Sequence, residues 1–521
     1  MSTRSLAAKV KQASDVALPH LEYWNYDACE YHDEPRPDCE YRACGGDLFS
    51  HQRVGVTWLY IVEKGILADM TGLGKTNQII GLCALLKEKG ELTRRAVVVC
   101  QASAVVQWAR EFNRFAPRLN VITATGTKPQ RIQSYISNWD VCIIGYQMFL
   151  RDRAAIEELE PGLLVEDDVD PIRNHANRTT QAYNRVSRQA DRVININATP
   201  LQVRLEELYS TSVSVGGFDI FGSHRAFQRR YIRQEPVMFY TKGGRKHQKW
   251  ETAGYKNMED FKAKFGPLYL RRRYEDMTDV RIPDIMPPED VWLDMHPAQR
   301  LKYEELQDGV LRLLKEDVES IKHVEAFAKV THGAQICAGL PALGEADGPE
   351  ASIKLDWLLD KLTGDWSNGE KLVVFSRFKG TIRALYGRLS DAGIGMAAVW
   401  GENRRTREAE VERFWDDPNT RVCVGTSAIE RSLNLQVANI VINLDTLLNP
   451  ARMMQILGRV RRVGSTHSHV YVFNLLCRDT QEERYMDVLE KRQALADYVW
   501  GESNDLYEAL SPIELLHLIR P

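Results

Sequence analysis

Residues 65–87 read GILADMTGLGKTNQIIGLCALLK, and the order of residue types along them decides the fold. Ile66–Ala68 is an apolar run of strand length. Asp69–Thr76 (DMTGLGKT) is a glycine-containing loop ending in Gly-Lys-Thr, and Asn77–Lys87 spaces its apolar residues as a helix does. A strand, such a loop and a helix in that order make a phosphate loop. Gly72 and Gly74 let the backbone turn its N–H groups toward an anion, and the helix N-terminus adds positive potential. Lys75 is placed to reach β- and γ-phosphates and the Thr76 hydroxyl to bind Mg2+. The predicted nucleotide-binding set is therefore Asp69, Met70, Thr71, Gly72, Leu73, Gly74, Lys75 and Thr76. Asp69 stands where the simple pattern has Gly. The bland alternative is a Gly-rich turn capping a helix, and the context on both sides speaks against it.

Outward from the loop, short apolar runs alternate with helical patterns. Gly65–Asp69, Arg95–Cys100, Val121–Thr125, Val141–Gly145, Leu163–Glu166 and Arg192–Asn197 read as strands. Near-continuous apolar strands separated by helices predict a parallel sheet covered on both faces. Residues 215–350 are richer in charge, aromatics and helical spacing, with Pro283, Pro287, Pro288 and Pro297 as punctuation, and predict a helical insertion with a linker. After Ser352 the alternation returns: Leu372–Phe375, Met396–Trp400, Val422–Thr426, Ile440–Asn443 and Val470–Asn474 are strand candidates. From Thr480 the pattern is amphipathic helix. The fold class is α/β, and the two halves read as one fold used twice. The expected division is 1–45, a Cys/His segment; 46–220, lobe one; 221–350, helical insertion and linker; 351–480, lobe two; 481–521, a helical brace.

A phosphate loop needs a carboxylate partner for Mg2+ at the end of another buried strand. Leu163–Glu166 leads into Asp167, Asp168, Val169 and Asp170. Asp167 is predicted to hold Mg2+ through water and Asp168 to orient the attacking water; the alternative is a solvated acidic loop.

Composition sets the outer limits. The 521 residues are 44% hydrophobic and 27% charged with a formal net charge of −3, which excludes low-complexity disorder. The apolar runs are far below the roughly 20 residues of a membrane span, and the N-terminus has no apolar signal region. Near-neutral charge argues against a polybasic coat but not against a local basic groove. Six of the nine Cys, Cys83, Cys100, Cys142, Cys337, Cys423 and Cys477, sit singly and read as buried thiols. Cys29, His32, Cys39 and Cys44 crowd together and offer four soft ligands, enough for a tetrahedral structural Zn2+. The spacing matches no standard finger, and a loop with incidental thiols is the alternative; metal analysis of the purified protein decides between them.

The order of motifs resembles the Swi/Snf-type ATPases of helicase superfamily two, DNA translocases with two RecA-like parallel-sheet lobes, over roughly residues 46–490. Phe49–Leu59 (FSHQRVGVTWL) looks like the family's adenine-reading segment, with Gln52 as the base-specific residue, and the family's phosphate loop itself begins with Asp, as at Asp69. Val97–Pro117, Ile143–Phe149 and Arg192–Tyr209 are similar to the next lobe-one motifs, the first with a Ser/Gln/Trp region that lies along a DNA strand. In lobe two, Lys371–Phe378, Trp400–Arg407 and Thr426–Leu435 fall in family order. Asn449–Gly464 (NPARMMQILGRVRRVG) is the most specific match. Its Gln455, Arg459 and Arg462 would serve the γ-phosphate, the two Arg sharing a face of one helix. Ser103, Tyr146, Ser376, Arg377 and Thr426 fall at positions where the family touches a nucleic-acid strand. Basic clusters at Arg229, Arg230 and Arg233, at Arg271–Arg273 and at Arg404, Arg405 and Arg407 suit phosphate contacts, although the Arg271–Arg273 element more resembles a brace between lobes.

Two departures bear on turnover. Asp168 replaces the family's Glu and is one methylene shorter; a misplacement on the order of 1 Å can cost about 10²-fold in rate. Ala428–Leu435 reads AIERSLNL where the family has three Gly. The resemblance implies an ATP- and Mg2+-dependent ATPase moving on duplex DNA without sequence preference, in replication, repair or recombination. The alternatives are a nucleotide-gated DNA binder with little turnover, and an ATPase directed at RNA or chromatin. No chromatin-reading module is visible, which favours a prokaryotic or phage cytoplasmic enzyme, or a nuclear one if eukaryotic.

Overall fold

The structure is a computed structural model and describes residues 18–26, 47–167, 170–197, 205–240, 246–277, 282–316, 323–348, 350–366, 369–400, 406–426, 429, 433–445, 450–462, 465–484 and 519. The chain divides into two compact units. The first comprises 1–232, 256–282 and 462–464, the second 233–255, 283–461 and 465–521.

The first unit is built on β1 (Lys64–Leu67), β2 (Ala96–Cys100), β3 (Val121–Thr123), β4 (Val141–Gly145), β5 (Leu163–Asp167) and β6 (Arg192–Ile196). β7 (Ile232–Tyr240) and β8 (Lys246–Tyr255), whose residues after Ile232 group with the second unit, form a separate two-stranded sheet, and β9 (Tyr269–Leu270) closes the β1 edge of the large sheet. The order is β3-β4-β2-β5-β6-β1-β9, parallel throughout. Every residue of β2 and β4 is buried, which their unbroken apolar composition demands of strands covered on both faces. Helices α1 (Ser50–Val62), α2 (Lys75–Glu88) and α3 (Val105–Phe115) bring Val56, Leu82, Trp108 and Phe112 into one core with Val98, Ile143 and Val165. The short helix α4 (Tyr146–Arg151) follows β4 directly.

The second unit carries β10 (Asp284–Ile285), β11 (Glu289–Leu293), β12 (Leu372–Phe375), β13 (Gly395–Val399), β14 (Thr420–Gly425), β15 (Ile440–Asn443) and β16 (His469–Cys477). Its order is β10-β16-β15-β12-β14-β13, with β11 also on β16, again parallel. Along β12 the side chains alternate between two cores. Leu372 and Val374 pack with Leu355, Leu358 and Leu385, from α5 (Ile353–Thr363) and α6 (Lys379–Asp391). Val373 and Phe375 pack with Ile456 and Val460 of α7 (Pro450–Val460). This is the period of two that a strand imposes.

Residues 221–350 carry the helices His224–Tyr231, Met258–Phe265, Pro297–Glu316 and His323–Ala338, together with strands that the sequence does not announce. They contain β7–β11, which include an edge strand for each large sheet. β9 and β10, of two residues each, are too short to show an alternation. Pro287 and Pro288 split what would be one edge strand into β10 and β11, because proline has no N–H for the ladder. The boundary at 45 also moves: Leu21 and Trp24 are buried in the lobe-one core, with Trp24 stacked on Phe115. The six single Cys are buried free thiols. Among the described residues no helix is long and apolar enough to cross a membrane. The predicted brace at 481–521 lies outside the described residues except for 481–484 and 519.

Candidate nucleotide site

After β1 the chain enters the phosphate loop with Ala68 N bonded to Leu270 O (2.7 Å) and Met70 N to Arg272 O (3.1 Å). Gly72 (φ 83°) and Gly74 (φ 68°) both adopt the left-handed conformation, and Gly74 caps the start of α2. Lys75 Nζ donates to the carbonyls of Asp69 (2.7 Å) and Met70 (3.0 Å), so the ammonium is held over the loop it would share with a phosphate. Thr76 follows in the first helical turn, where free N–H groups and the helix dipole favour an anion.

Asp69 is held behind the loop by protein groups. It is fully buried and accepts from Arg272 N and Nε (both 3.0 Å), from the Arg272 guanidinium terminus and from Gln78 Nε2 (3.0 Å). Burial alone would push its carboxyl up, but the Arg272 charge and hydrogen bonds outweigh that and hold it below the usual carboxylate range. Tyr274 OH donates to Thr71 O. The loop is thus braced from behind by Leu270, Arg272 and Tyr274, from β9 and the residues just after it. Sequence reasoning missed Arg272 and Tyr274 as parts of this site. The signal was available: a buried acid at the Gly position needs a cation, and the run Arg271–Arg273 supplies one. The element expected to brace two lobes braces this loop.

α1 lies against the loop. His51 Nε2 is 2.9 Å from Leu73 O, and a Cβ built on Gly74 would fall 2.1 Å from Gln52 Nε2. Gln52 is 2% exposed and its Oε1 accepts from Phe49 N. The predicted base reader and the phosphate loop are therefore neighbours.

Asp167 ends β5. It is in register with Ile196 of β6, as is Leu67 at the end of β1. The carboxylate and the loop thus leave the sheet at one level, about 10 Å apart across two strand spacings. Asp167 Oδ2 accepts from Trp108 Nε1 at 2.7 Å. Asp168 lies outside the described residues, as do Cys29, His32, Cys39 and Cys44.

The strand-contact residues depart from expectation. Tyr146 is 7% exposed, and its hydroxyl donates to the buried Glu166 carboxylate and lies 3.2 Å from Asp167 O. Trp108, in the region expected along DNA, is 3% exposed. Both rings are large and apolar, and the interior claims them. Ser103 is half-buried, in the turn before α3. In the second unit Phe375 of β12 is level with Gly425 and Asn443, so Ser376, Thr426 and Asp445 cluster just past three strand ends. Ser376 is fully buried and its Oγ accepts from Phe378 N, while Thr426 is 7% exposed. Arg377 Nε and N donate to the buried Asp445.

Gln455 and Arg459 are half-buried on α7. Arg462 is not on that helix. α7 ends at Val460, where Leu435 N donates to the Arg459 carbonyl and Arg461 Nε donates to Pro283 O at 2.7 Å, so the expected shared helical face does not form. Among the described residues one set has metal-ligand spacing: Cys337, Cys477 and Glu482. There Lys354 Nζ already lies 2.9 and 2.8 Å from the two Glu482 oxygens, so the cation is supplied by the protein.

The glycine loop, its lysine over the carbonyls, the helix start behind it and a carboxylate at the end of a second strand fit a nucleotide phosphate with Mg2+. Two parallel α/β sheets, the first carrying that loop, define a phosphate-loop protein of the two-lobe class. The chain matches the SNF2-related domain over residues 51–341 and the helicase conserved C-terminal domain over 353–464, and it belongs to the SNF2-related family. It is 25% identical over 490 residues to an uncharacterized ATP-dependent helicase of Mycoplasma pneumoniae, covering 90% of this chain and 44% of that protein. It is 26% identical over 513 residues to the human SWI/SNF-related matrix-associated actin-dependent regulator of chromatin subfamily A member 1, covering 91% and 46%. The chain spans about half the length of the curated relatives it matches. Among solved structures, the Sulfolobus solfataricus SWI2/SNF2 ATPase core in complex with dsDNA is similar with a TM-score of 0.41 and 24% identity, over 88% of this chain and 94% of that one.

Proposed function

We propose that this chain is an ATP hydrolase that couples turnover to movement on duplex DNA. The observation that carries the nucleotide part is the braced phosphate loop: Lys75 is poised on two carbonyls that a phosphate would replace, and Asp69, its neighbour, is locked away by Arg272. Lys75 exchanges those carbonyls for phosphate oxygens, and the N–H groups at the start of α2 donate to the same anion. Gln52 recognises the base edge from α1. Thr76 and Asp167 hold Mg2+, which supplies charge neutralisation at the phosphates. Asp168 orients the attacking water. The roles of Gln455, Arg459 and Arg462 rest on the family motif. DNA as the track is supported by the family; the binding is proposed to be independent of sequence.

The test is steady-state ATP hydrolysis without nucleic acid and with single-stranded DNA, duplex DNA and RNA, beside Lys75→Ala. We expect stimulation by duplex DNA that falls with salt, and a loss of about 10²–10³-fold in Lys75→Ala, as for removal of one donor from a developing charge. Binding of ATP without turnover under all four conditions would defeat the motor. It would favour the nucleotide-gated binder, for which the shortened Asp168 is the physical motive, and Asp168→Glu would then restore turnover.

A further inference from the structure

Asp167 is gripped through two consecutive residues of β5. Side chains alternate across a strand, so Glu166 and Asp167 leave it on opposite faces, and each meets an aromatic donor. Trp108 of α3 donates its indole N–H to Asp167 Oδ2 at 2.7 Å. Tyr146, the first residue of α4, donates its hydroxyl to the fully buried Glu166 and lies 3.2 Å from the Asp167 carbonyl. A buried indole N–H needs an acceptor, and a backbone carbonyl would serve. Here the acceptor is a carboxylate at the nucleotide site, and a charge-assisted bond to it is about twice as strong as a neutral one.

A carboxylate that holds a metal ion through water must keep one oxygen available and its rotamer fixed. A donor on Oδ2 fixes the rotamer from which the carboxylate addresses the metal's water. Partners of this kind set metal affinity without touching the metal.

We propose that Trp108 is a positioning residue for the magnesium carboxylate Asp167, and that Tyr146, through Glu166 and the Asp167 carbonyl, sets the backbone from which that carboxylate projects. The inference rests on Asp167 being the metal carboxylate. It reassigns two residues from segments expected along DNA: their side chains end on the metal site. The segments can still meet DNA with other residues, and in that case DNA contact and metal geometry share the same two helices.

The test uses the full chain and a fluorescent ATP analogue, with binding measured across a Mg2+ titration and again in chelator. Trp108→Phe keeps a buried ring and removes the donor. It raises the half-saturating Mg2+ concentration about tenfold or more, while binding in chelator is unchanged. Tyr146→Phe removes one hydroxyl and gives a smaller rise with the same pattern. Asp167→Asn, which can still accept from the indole but is a poor metal ligand, must raise the Mg2+ requirement too. If Asp167→Asn leaves the requirement unmoved, the metal assignment fails and the proposal with it. If Asp167→Asn moves it but Trp108→Phe does not, or if Trp108→Phe weakens binding equally in chelator, the positioning role alone is wrong. Where Trp108→Phe melts too low for binding to be read, Tyr146→Phe decides the matter by the same two measurements.

Discussion

The loops after β1 and β12 each run from a buried parallel strand into a helix, β1 lying next to its sheet's edge and β12 in the middle of its own, and each loop is anchored by a fully buried Asp and an Arg. In the first unit the acid lies in the loop and the Arg arrives from downstream, Asp69 with Arg272. In the second the Arg lies in the loop and the acid arrives from beside β15, Arg377 with Asp445. The exchange of sign has a consequence. Anchoring by an acid leaves Lys75 and two left-handed glycines facing outward, which is an anion cradle. Anchoring by the loop's own arginine consumes its cation, and Ser376-Arg377-Phe378 has no glycine to turn N–H groups toward a ligand. One fold used twice therefore gives one nucleotide loop, because the chemistry lives in the loop and not in the sheet.

The largest expected effects come from breaking a buried ion pair in each unit. Lys354 and Glu482 are 0% and 1% exposed, and Lys354 also donates to Leu444 O. Lys354→Met leaves Glu482 buried without its cation and costs about 3–5 kcal/mol. Arg272→Ala strands Asp69 in the same way, toward the lower end of that range because the Arg272 side chain is 12% exposed. Differential scanning calorimetry checks both. Two independently cooperative units predict that Lys354→Met lowers one transition and Arg272→Ala the other; if both variants shift the same transition, the two-unit comparison breaks.

The same pairs give the units opposite pH weaknesses. Burial would raise the Asp69 carboxyl, but Arg272 overrides it and the folded value lies below the ordinary 3.8. Its stabilisation is complete above pH 3.8 and is lost as pH falls through the lowered value. Burial would lower the Lys354 ammonium, but Glu482 overrides it and the folded value lies above the ordinary 10.5. That stabilisation is complete below pH 10.5 and is lost as pH rises through the raised value. Acid melts should show Arg272→Ala converging on the parent protein, and alkaline melts should show the same for Lys354→Met.

These two pairs also mark where the sequence stops being legible. The phosphate loop, β4, β12 and β15 are readable to the residue, because a buried parallel strand must be apolar throughout and a phosphate loop must place Gly, Lys and Thr together. The pairing of Asp69 with Arg272 spans 203 residues. No local period records it; only the misfit of an acid in a glycine loop hints at it. Trp108 and Tyr146 were misplaced for a related reason. Family order assigns a segment to DNA, but whether one aromatic within it faces solvent or core depends on the helix face, and that needs the packing partner. The two-residue strands β9 and β10 exist only through their neighbours, so no pattern of their own announces them.

The smallest prediction sharpens the comparison within a single helix. Gly74 and Gly90 sit at the two ends of α2 with nearly the same backbone, φ 68° and 69°. A side chain in that conformation costs roughly 1–2 kcal/mol at either place. What differs is the surroundings. A Cβ at Gly90 meets nothing within 4 Å, whereas one at Gly74 falls 2.1 Å from Gln52 Nε2. Gly90→Ala should therefore lose about 1 kcal/mol in urea melts and leave nucleotide binding unchanged. Gly74→Ala should lose the same backbone term and in addition weaken the ATP analogue, because Gln52 must swing off Phe49 N or the loop must open. Equal stability loss with unequal binding loss assigns the second glycine of the loop to the ligand. Equal loss of both would reduce Gly74 to a helix cap, and the phosphate loop to the Gly-rich turn that is its bland alternative.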